Sequence, residues 1–438
     1  MPLNRWLALK RRVTSYRESV KNYLGEHEKG LLALLSVVIV ISGTFWFRQY
    51  AGNNSNTPSQ GGTFVDGVVG DRQQIEDEAA HLTKAGLFRF DQNGNLTKQL
   101  VKDWSASTDQ TVFHLTLLPQ VPLGEIQNSL NLEANLLGDA AVTTENNQLV
   151  ITLQNADPSL PLLLAEPLFD FGPFKVSKLT NQSAVLVRNT RSGAANSYIN
   201  RVIINAYPTA KALQAALNNH KIDGAHLETT TAPRGYQLHP FGLSLYYAVF
   251  FNLNRAPFRD QSFGQKIAAG GSIPTQPFTL TAPSSEPYQS MAKDLVGKWQ
   301  AAGAKVTLEL KSESDIKDQI APARNFQALL GGLDYSYELD PFYLWDQSQV
   351  RPPGNNLSGV KSDAVETAIN QIRAQTNIAG RKGQIETLHQ TLQNQGVAVI
   401  LGEQKASYVV SNAIRSVDPW VADSPTDWLQ AFALWSVK

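Results

Sequence analysis

The sequence predicts an α/β fold preceded by one N-terminal transmembrane helix. Three observations carry this. Strand-type and helix-type stretches alternate through the second half of the chain, the order expected of a sheet with helical crossovers. Residues 30–47 contain no charged side chain. The chain is 438 residues long, enough for about two or three domains with packed cores. Composition also excludes some functions. Lys and Arg total 38 against 38 Asp and Glu, so no basic excess points to nucleic acid. The chain has no Cys, which excludes disulfides, thiol catalysis and Cys-ligated metal.

Residues 1–29 form a basic tail. They carry Arg5, Lys10, Arg11, Arg12, Arg17, Lys21 and Lys29 against Glu18, Glu26 and Glu28. Gly30–Phe47 follows as GLLALLSVVIVISGTFWF. As a helix it rises roughly 27 Å at ~1.5 Å per residue, enough to cross a bilayer core. A basic flank stays in the cytoplasm, so the large C-terminal part is expected outside. Trp46 and Tyr50 sit where interfacial anchors belong. A cleaved signal peptide would need a shorter basic region and an A-x-A site, and neither is present. The expected organisation is a cytoplasmic tail at 1–29, a signal anchor at 30–48 and a flexible linker at 49–62. The linker, rich in Asn, Ser and Gly, has a mean reach of roughly 20 Å.

The outer part begins with a strand at Thr63–Val69 and a helix at Gln74–Leu87, whose apolar positions are Ile75, Ala79, Leu82 and Leu87. Leu87–Leu96 holds an Asn-Gly turn signal. Val112–Leu117, Gln148–Leu153 and Ala184–Arg188 alternate like half-buried strands, and Asn200–Tyr207 is another strand. Thr209–Asn218 reads as a short helix. Ser244–Leu253 is mostly apolar, as expected of a strand covered on both faces. Phe278–Thr281, Lys305–Leu310 and Phe326–Leu330 are strands, with an amphipathic helix at Glu286–Ala302 ended by Gly303. Helices follow at about 362–376 and 379–394, then closing strands at Val397–Leu401 and Ser407–Val410.

The stretch Gln327–Gln349, QALLGGLDYSYELDPFYLWDQSQ, has the strongest functional character. It starts as an apolar strand, breaks at Gly331-Gly332, and then presents Asp334 and Asp340 among Tyr335, Tyr337, Phe342, Tyr343 and Trp345. A buried strand that ends by presenting carboxylates beside aromatic rings is how α/β proteins expose a ligand-facing loop. The competing reading is a loop with its own aromatic core.

The order of short motifs resembles that of the extracytoplasmic solute-binding proteins of family 5, the dipeptide- and oligopeptide-binding components of ABC importers. GLFRFDQNGNL (Gly86–Leu96) and Phe113-His114-Leu115 are similar to that family's opening segment. Gly172–Val176 is similar to its GPYKV strand, and Arg201–Ala225 to its strand–helix unit ending in I-D. FFNLNRAPF (Phe250–Phe258), the Asp-Pro-x-x-x-Trp end of Gln327–Gln349, Asn356–Gly359 with the helix after it, and Ser407–Val417 complete the series. No single motif is specific. Their order over nearly the whole outer part carries the resemblance.

The resemblance implies a two-lobed periplasmic-binding-protein-like fold: mixed sheets, flanking helices, and a cleft between lobes. Lobe 1 would comprise residues 63–247 and 413–438, and lobe 2 residues 248–412. The crossings are expected near Tyr246–Leu253 and Tyr408–Ile414. A carboxylate in the Gln327–Gln349 loop, Asp334 or Asp340, would hold a peptide ammonium, with Tyr335, Tyr337 and Trp345 as side-chain pockets. Peptide backbone would pair with a strand edge at Phe250–Leu253, beside Phe250 and Asn252. The chain departs from the family in length. The DGTPF-type segment after Phe113–Leu115 is absent, and Arg259–Thr275 shortcuts a helical insert, which implies an opened or smaller pocket.

The expected function is capture of peptides and delivery to an ABC permease by a monomer tethered to the cytoplasmic membrane, with no cofactor and no nucleic acid. The alternatives are a scaffold that kept the fold and lost the ligand, and a binder of a non-peptide solute. Seven scattered histidines form no metal motif, and no nucleophile elbow, Walker loop or dinucleotide fingerprint occurs. An enzyme is not expected.

Overall fold

The chain divides by its contacts into two units, residues 1–58 and 59–438. The computed structural model describes residues 61–415 except 92, 133–136, 138–139, 192–196, 228–230, 271–274 and 336–338, together with 432 and 435–437. The tail, the anchor and nearly all of the linker lie outside the described residues. Among those described, no helix is long and apolar enough to cross a membrane.

β1 (Thr63–Val69) buries Phe64 and Val68 on one face. Asp71 then caps α1 (Arg72–Thr83): its carboxylate accepts from the Gln73 N–H while the Gln74 side chain accepts from the Asp71 N–H. α1 turns Ile75, Ala79 and Leu82 into the same core. A hairpin of β2 (Phe88–Phe90) and β3 (Leu96–Lys98) follows, turned as the Asn-Gly signal predicts. Next comes a small antiparallel sheet of β4 (Val101–Ala106), β5 (Val112–Leu117), β6 (Ala141–Glu145) and β7 (Gln148–Thr152), in the order β4-β5-β7-β6, with α2 (Leu123–Leu132) against it. β4, α2 and β6 have no counterpart in the sequence reading. β4 exposes Lys102–Ser105, and α2 buries only Ile126 and Leu130, so their patterns are weak.

The chain returns through β8 (Phe174–Leu179), β9 (Ser183–Arg188), β10 (Arg201–Tyr207), α3 (Ala210–Asn218), β11 (Gly224–Leu227) and β12 (Tyr236–Phe251). α4 (Gln261–Ala269), β13 (Pro277–Pro283), α5 (Tyr288–Ala301), β14 (Lys305–Lys311) and β15 (Ala328–Asp334) follow, then α6 (Asp363–Ala374), α7 (Ile378–Asn394) and β16 (Ala398–Ser411). Ten of these strands form one sheet, ordered β14-β13-β15-β12-β16-β11-β1-β10-β9-β8.

Three predicted boundaries change. β12 begins at Tyr236, not Ser244, and runs for 16 residues. Pro240 and Gly242 hide its first part. Pro240 is tolerated there because Tyr236–Gly242 pairs only with β16. The two closing strands are one, β16, which continues through Gly402 at φ +141°. β15 does not break at Gly331-Gly332. It pairs on to Asp334, with Gly331 opposite Ala248 and Gly332 opposite Tyr247.

β12 and β16 tie the sheet together. Tyr246–Phe250 pairs with Ala398–Glu403, and Tyr236–Gly242 pairs with Lys405–Ser411, with a register shift between Gly242 and Tyr246. Ser407–Val410 also pairs with β11, in the half of the sheet that holds β1. The small sheet shares one hydrophobic core with β12, β15, α6 and α7. Direct bonds reinforce that link. The Ile378 N–H donates to the Gly94 carbonyl at 2.8 Å, the fully buried Arg381 donates to Ser159 Oγ at 2.9 Å, and Arg373 meets Asp157 at 2.6 Å.

Candidate functional site

Strand direction locates the site. β10 and β11 run parallel to β1, and β11 pairs antiparallel to β16 with Leu227 opposite Ser407. The carboxyl ends of β1, β10 and β11 therefore point at the crossing. β13 runs parallel to β14 and β15, and β15 pairs antiparallel to β12 with Asp334 opposite Leu245. Its group of strands points at the same crossing from the other side. Open α/β sheets present ligand-binding loops at strand carboxyl ends. Here two such sets converge on Gly242–Tyr246 and Gly402–Ala406. The first contributes Val69, 41% exposed despite being apolar, together with Tyr207 and Leu227. The second contributes Asp334, Ser285, Glu313 and Tyr288.

The sequence-predicted residues separate at this point. Asp334 is exposed at the last position of β15, directly at the crossing. Phe250, Tyr335 and Trp345 come together in the interior. The Trp345 ring stacks on Phe250 at 5.7 Å and its Nε1–H donates to the Tyr335 hydroxyl at 3.1 Å. That hydroxyl lies 2.7 Å from His389 Nε2, and Tyr246 packs edge-on against both rings. Trp345 and Tyr335 have no exposed surface. Burial holds the His389 imidazole down to about 4 and pushes the Tyr335 phenol up.

Asp340 is 4% exposed and bonds Arg373 Nε at 3.0 Å, while Arg373 reaches Asp157 in the small sheet. Burial raises the Asp340 carboxyl, and Arg373 opposes the rise. Asn252 Nδ2 donates to the Arg324 and Phe326 carbonyls, fastening a loop. β12 is paired on both sides through Tyr246–Phe250, and the Asn252 and Leu253 N–H groups donate to Gln327 and Ser358. The open peptide-pairing edge predicted at Phe250–Leu253 is therefore absent: its polar groups are already satisfied by neighbouring chain. Tyr337 lies outside the described residues.

Sequence reasoning missed the groups that line the crossing. Glu403 on β16 accepts from the Ser244 N–H at 2.9 Å and pairs with Lys382 of α7 at 2.8 Å. The Tyr246 hydroxyl donates to Glu386 at 3.1 Å. On the opposite face, Tyr247 and Tyr288 pack edge to face at 5.5 Å, and Ser285 bonds Glu313. These residues meet only through strand register, which no local pattern signals. A second missed group is buried under α1. Asp66 is 1% exposed, accepts from the Tyr408 hydroxyl at 2.8 Å, and hydrogen-bonds Glu78. Burial pushes Asp66 up to about 7, and burial with Asp66 beside it raises Glu78. Burial pushes the neighbouring His226 down to about 3. Among the described residues, no three His, Cys, Asp or Glu side chains are placed to hold a metal ion.

A comparison with solved structures matches this architecture. The chain has the fold of the extracytoplasmic solute-binding proteins. It is similar to the oligopeptide-binding protein AppA of Bacillus subtilis, solved with a nonapeptide, at TM-score 0.61 and 12% identity over 87% of this chain and 100% of that one. HbpA2 of Haemophilus parasuis gives TM-score 0.69 and 12% identity over 86% and 100%. NikZ of Campylobacter jejuni, solved with Ni(L-His), gives 0.59 and 16% over 85% and 99%. No protein-family model and no curated protein matches the chain.

Proposed function

We propose that residues 63–438 bind a peptide between two lobes and pass it to an ABC permease, held at the membrane by the helix at 30–48 with the tail inside. The observation that carries this is the convergence of two sets of strand carboxyl ends on one crossing, with exposed Asp334 at its rim. Asp334 takes the ligand ammonium in this reading. Asp340 stands as its structural counterpart, committed to Arg373. The fold it shares with a nonapeptide-bound protein supports the peptide class. The lobes meet in this reading at Gly242–Tyr246 and Gly402–Ala406, where the pairing register shifts, rather than at the expected Tyr246–Leu253 and Tyr408–Ile414, because Ser407–Val410 already pairs with β11. The small sheet, expected in lobe 1, is assigned to the second lobe in this reading, because Arg373 and the shared core join it to α6 and α7.

The test is calorimetry of the detergent-solubilised full chain with a pool of di- to pentapeptides, for wild type and Asp334→Asn. Peptides bind wild type. Removing the charge-assisted bond weakens them by roughly 10–100-fold. Binding of metal chelates and not peptides by the same protein would move the assignment to a non-peptide solute, the ligand class seen in NikZ. Equal peptide affinity in both variants would remove Asp334 from the site.

A further inference from the structure

Across the three central strands, one row of residues reads Gly332, Tyr247, Gly402. Alternation along β15 places Ala328, Leu330, Gly332 and Asp334 on one face. Ala328 and Leu330 share their core with Ala292 and Trp299 of α5, so this is the α5 face. The cover stops one row short of the crossing, because Gly332, Gly402 and Asp334 are all exposed. Tyr288, the first residue of α5, closes the Gly332 side. Its hydroxyl lies 3.3 Å from where a Gly332 Cβ would stand, and its ring meets Tyr247 edge-on. The Gly402 side is different. A Cβ there would meet no atom within 4 Å. Gly402 owes its identity to its backbone, at φ +141°. Gly332 has no such φ, and a Cβ there would crowd the Tyr288 hydroxyl.

We propose that this notch, floored by Gly402 and walled by Tyr247, selects a peptide whose first side chain is aromatic. The proposal rests on the peptide reading above and names its specificity. Three features argue for that occupant. The floor is bare backbone beside a half-buried tyrosine ring, which suits a flat group packing on Tyr247. The notch and Asp334 are two strands apart, about 10 Å at ~4.8 Å per strand, and two residues apart along the strands, about 7 Å, so about 12 Å in all. An Asp side chain, an ammonium and an aromatic side chain laid in series span that separation. The rim carries two carboxylates, Asp334 and Glu313, which favour the ammonium and disfavour an acidic first residue.

The experiment is calorimetry of the full-length protein with tripeptides X-Ala-Ala, where X is Phe, Trp, Ala or Asp. Wild type binds the Phe and Trp peptides roughly tenfold or more tightly than the Ala peptide, the scale of burying one aromatic side chain. Tyr247→Ala brings the Phe-to-Ala ratio below about twofold. Tyr288→Leu, which leaves Tyr247 in place but removes its edge-on partner, gives an intermediate ratio. Asp334→Asn weakens every tripeptide by one common factor and keeps the ratio. Equal affinity of wild type for the Phe and Ala peptides overturns the aromatic notch and leaves the peptide reading standing. An unchanged ratio in Tyr247→Ala does the same. Failure of every tripeptide to bind wild type overturns both.

Discussion

Trp345 separates the two readings of its loop, because a core residue and a ligand contact respond differently to truncation. Trp345→Ala empties a site with no exposed surface, where the ring stacks on Phe250 at 5.7 Å. Truncating a buried Trp costs about 3–5 kcal/mol. The Tyr335 hydroxyl also loses the Nε1–H donor at 3.1 Å, adding about 1 kcal/mol. The expected loss is therefore about 4–6 kcal/mol, a large part of the 5–15 kcal/mol typical of a folded domain. Trp345→Phe keeps a ring against Phe250 and loses only the donor and some volume, so about 1–2 kcal/mol is expected. Urea titration followed by tryptophan fluorescence and far-ultraviolet dichroism measures both. Both losses should appear without any ligand. A loss below about 1 kcal/mol in Trp345→Ala, together with a fall in peptide affinity, would refute the core assignment and place the ring in the ligand pocket.

Arg373→Met should destabilise the protein by about 3–5 kcal/mol at neutral pH, because it strands Asp340 at 4% exposure and breaks the link to Asp157. The loss should shrink as pH falls and Asp340, its carboxyl already raised by burial and no longer opposed by Arg373, takes up a proton, and a pH series of urea midpoints would show it. The Asp66 carboxyl gives the opposite pH signature to a salt-bridged acid. Its folded value is raised to about 7 from an unfolded value near 3.8, so its contribution is fully present below 3.8 and is lost as pH rises through 7. Asp66→Asn should therefore gain stability relative to wild type between pH 5 and pH 8, read as a melting-temperature difference that widens with pH. A difference that stays flat across that range would mean Asp66 is ionised in the native state.

Helix and strand existence was legible where one face is apolar and the other is not. α1, α5, α6 and α7 each lie within two to four residues of the expected bounds, because their buried positions recur at helical spacing. The aromatic loop was legible as a feature and not as a function. Trp345, Tyr335 and Phe250 carry the same letters whether they line a pocket or fill a core. Only the packing of His389 from α7 and Tyr246 from β12 places them inside.

The sequence by itself determined the class of fold, the order of most elements, the absence of cysteine chemistry and the charge-free stretch at 30–47. Each is a property of neighbours along the chain. Tertiary structure decided which of two aspartates faces outwards, since Arg373, 33 residues beyond Asp340, claims one of them. It also decided that the chain has no open pairing edge at Phe250–Leu253 and that Tyr247 stands between two glycines. These facts are set by cross-strand register between segments from about 80 to 160 residues apart in the chain. A shift of one residue there would turn every side chain of the strand to the other face.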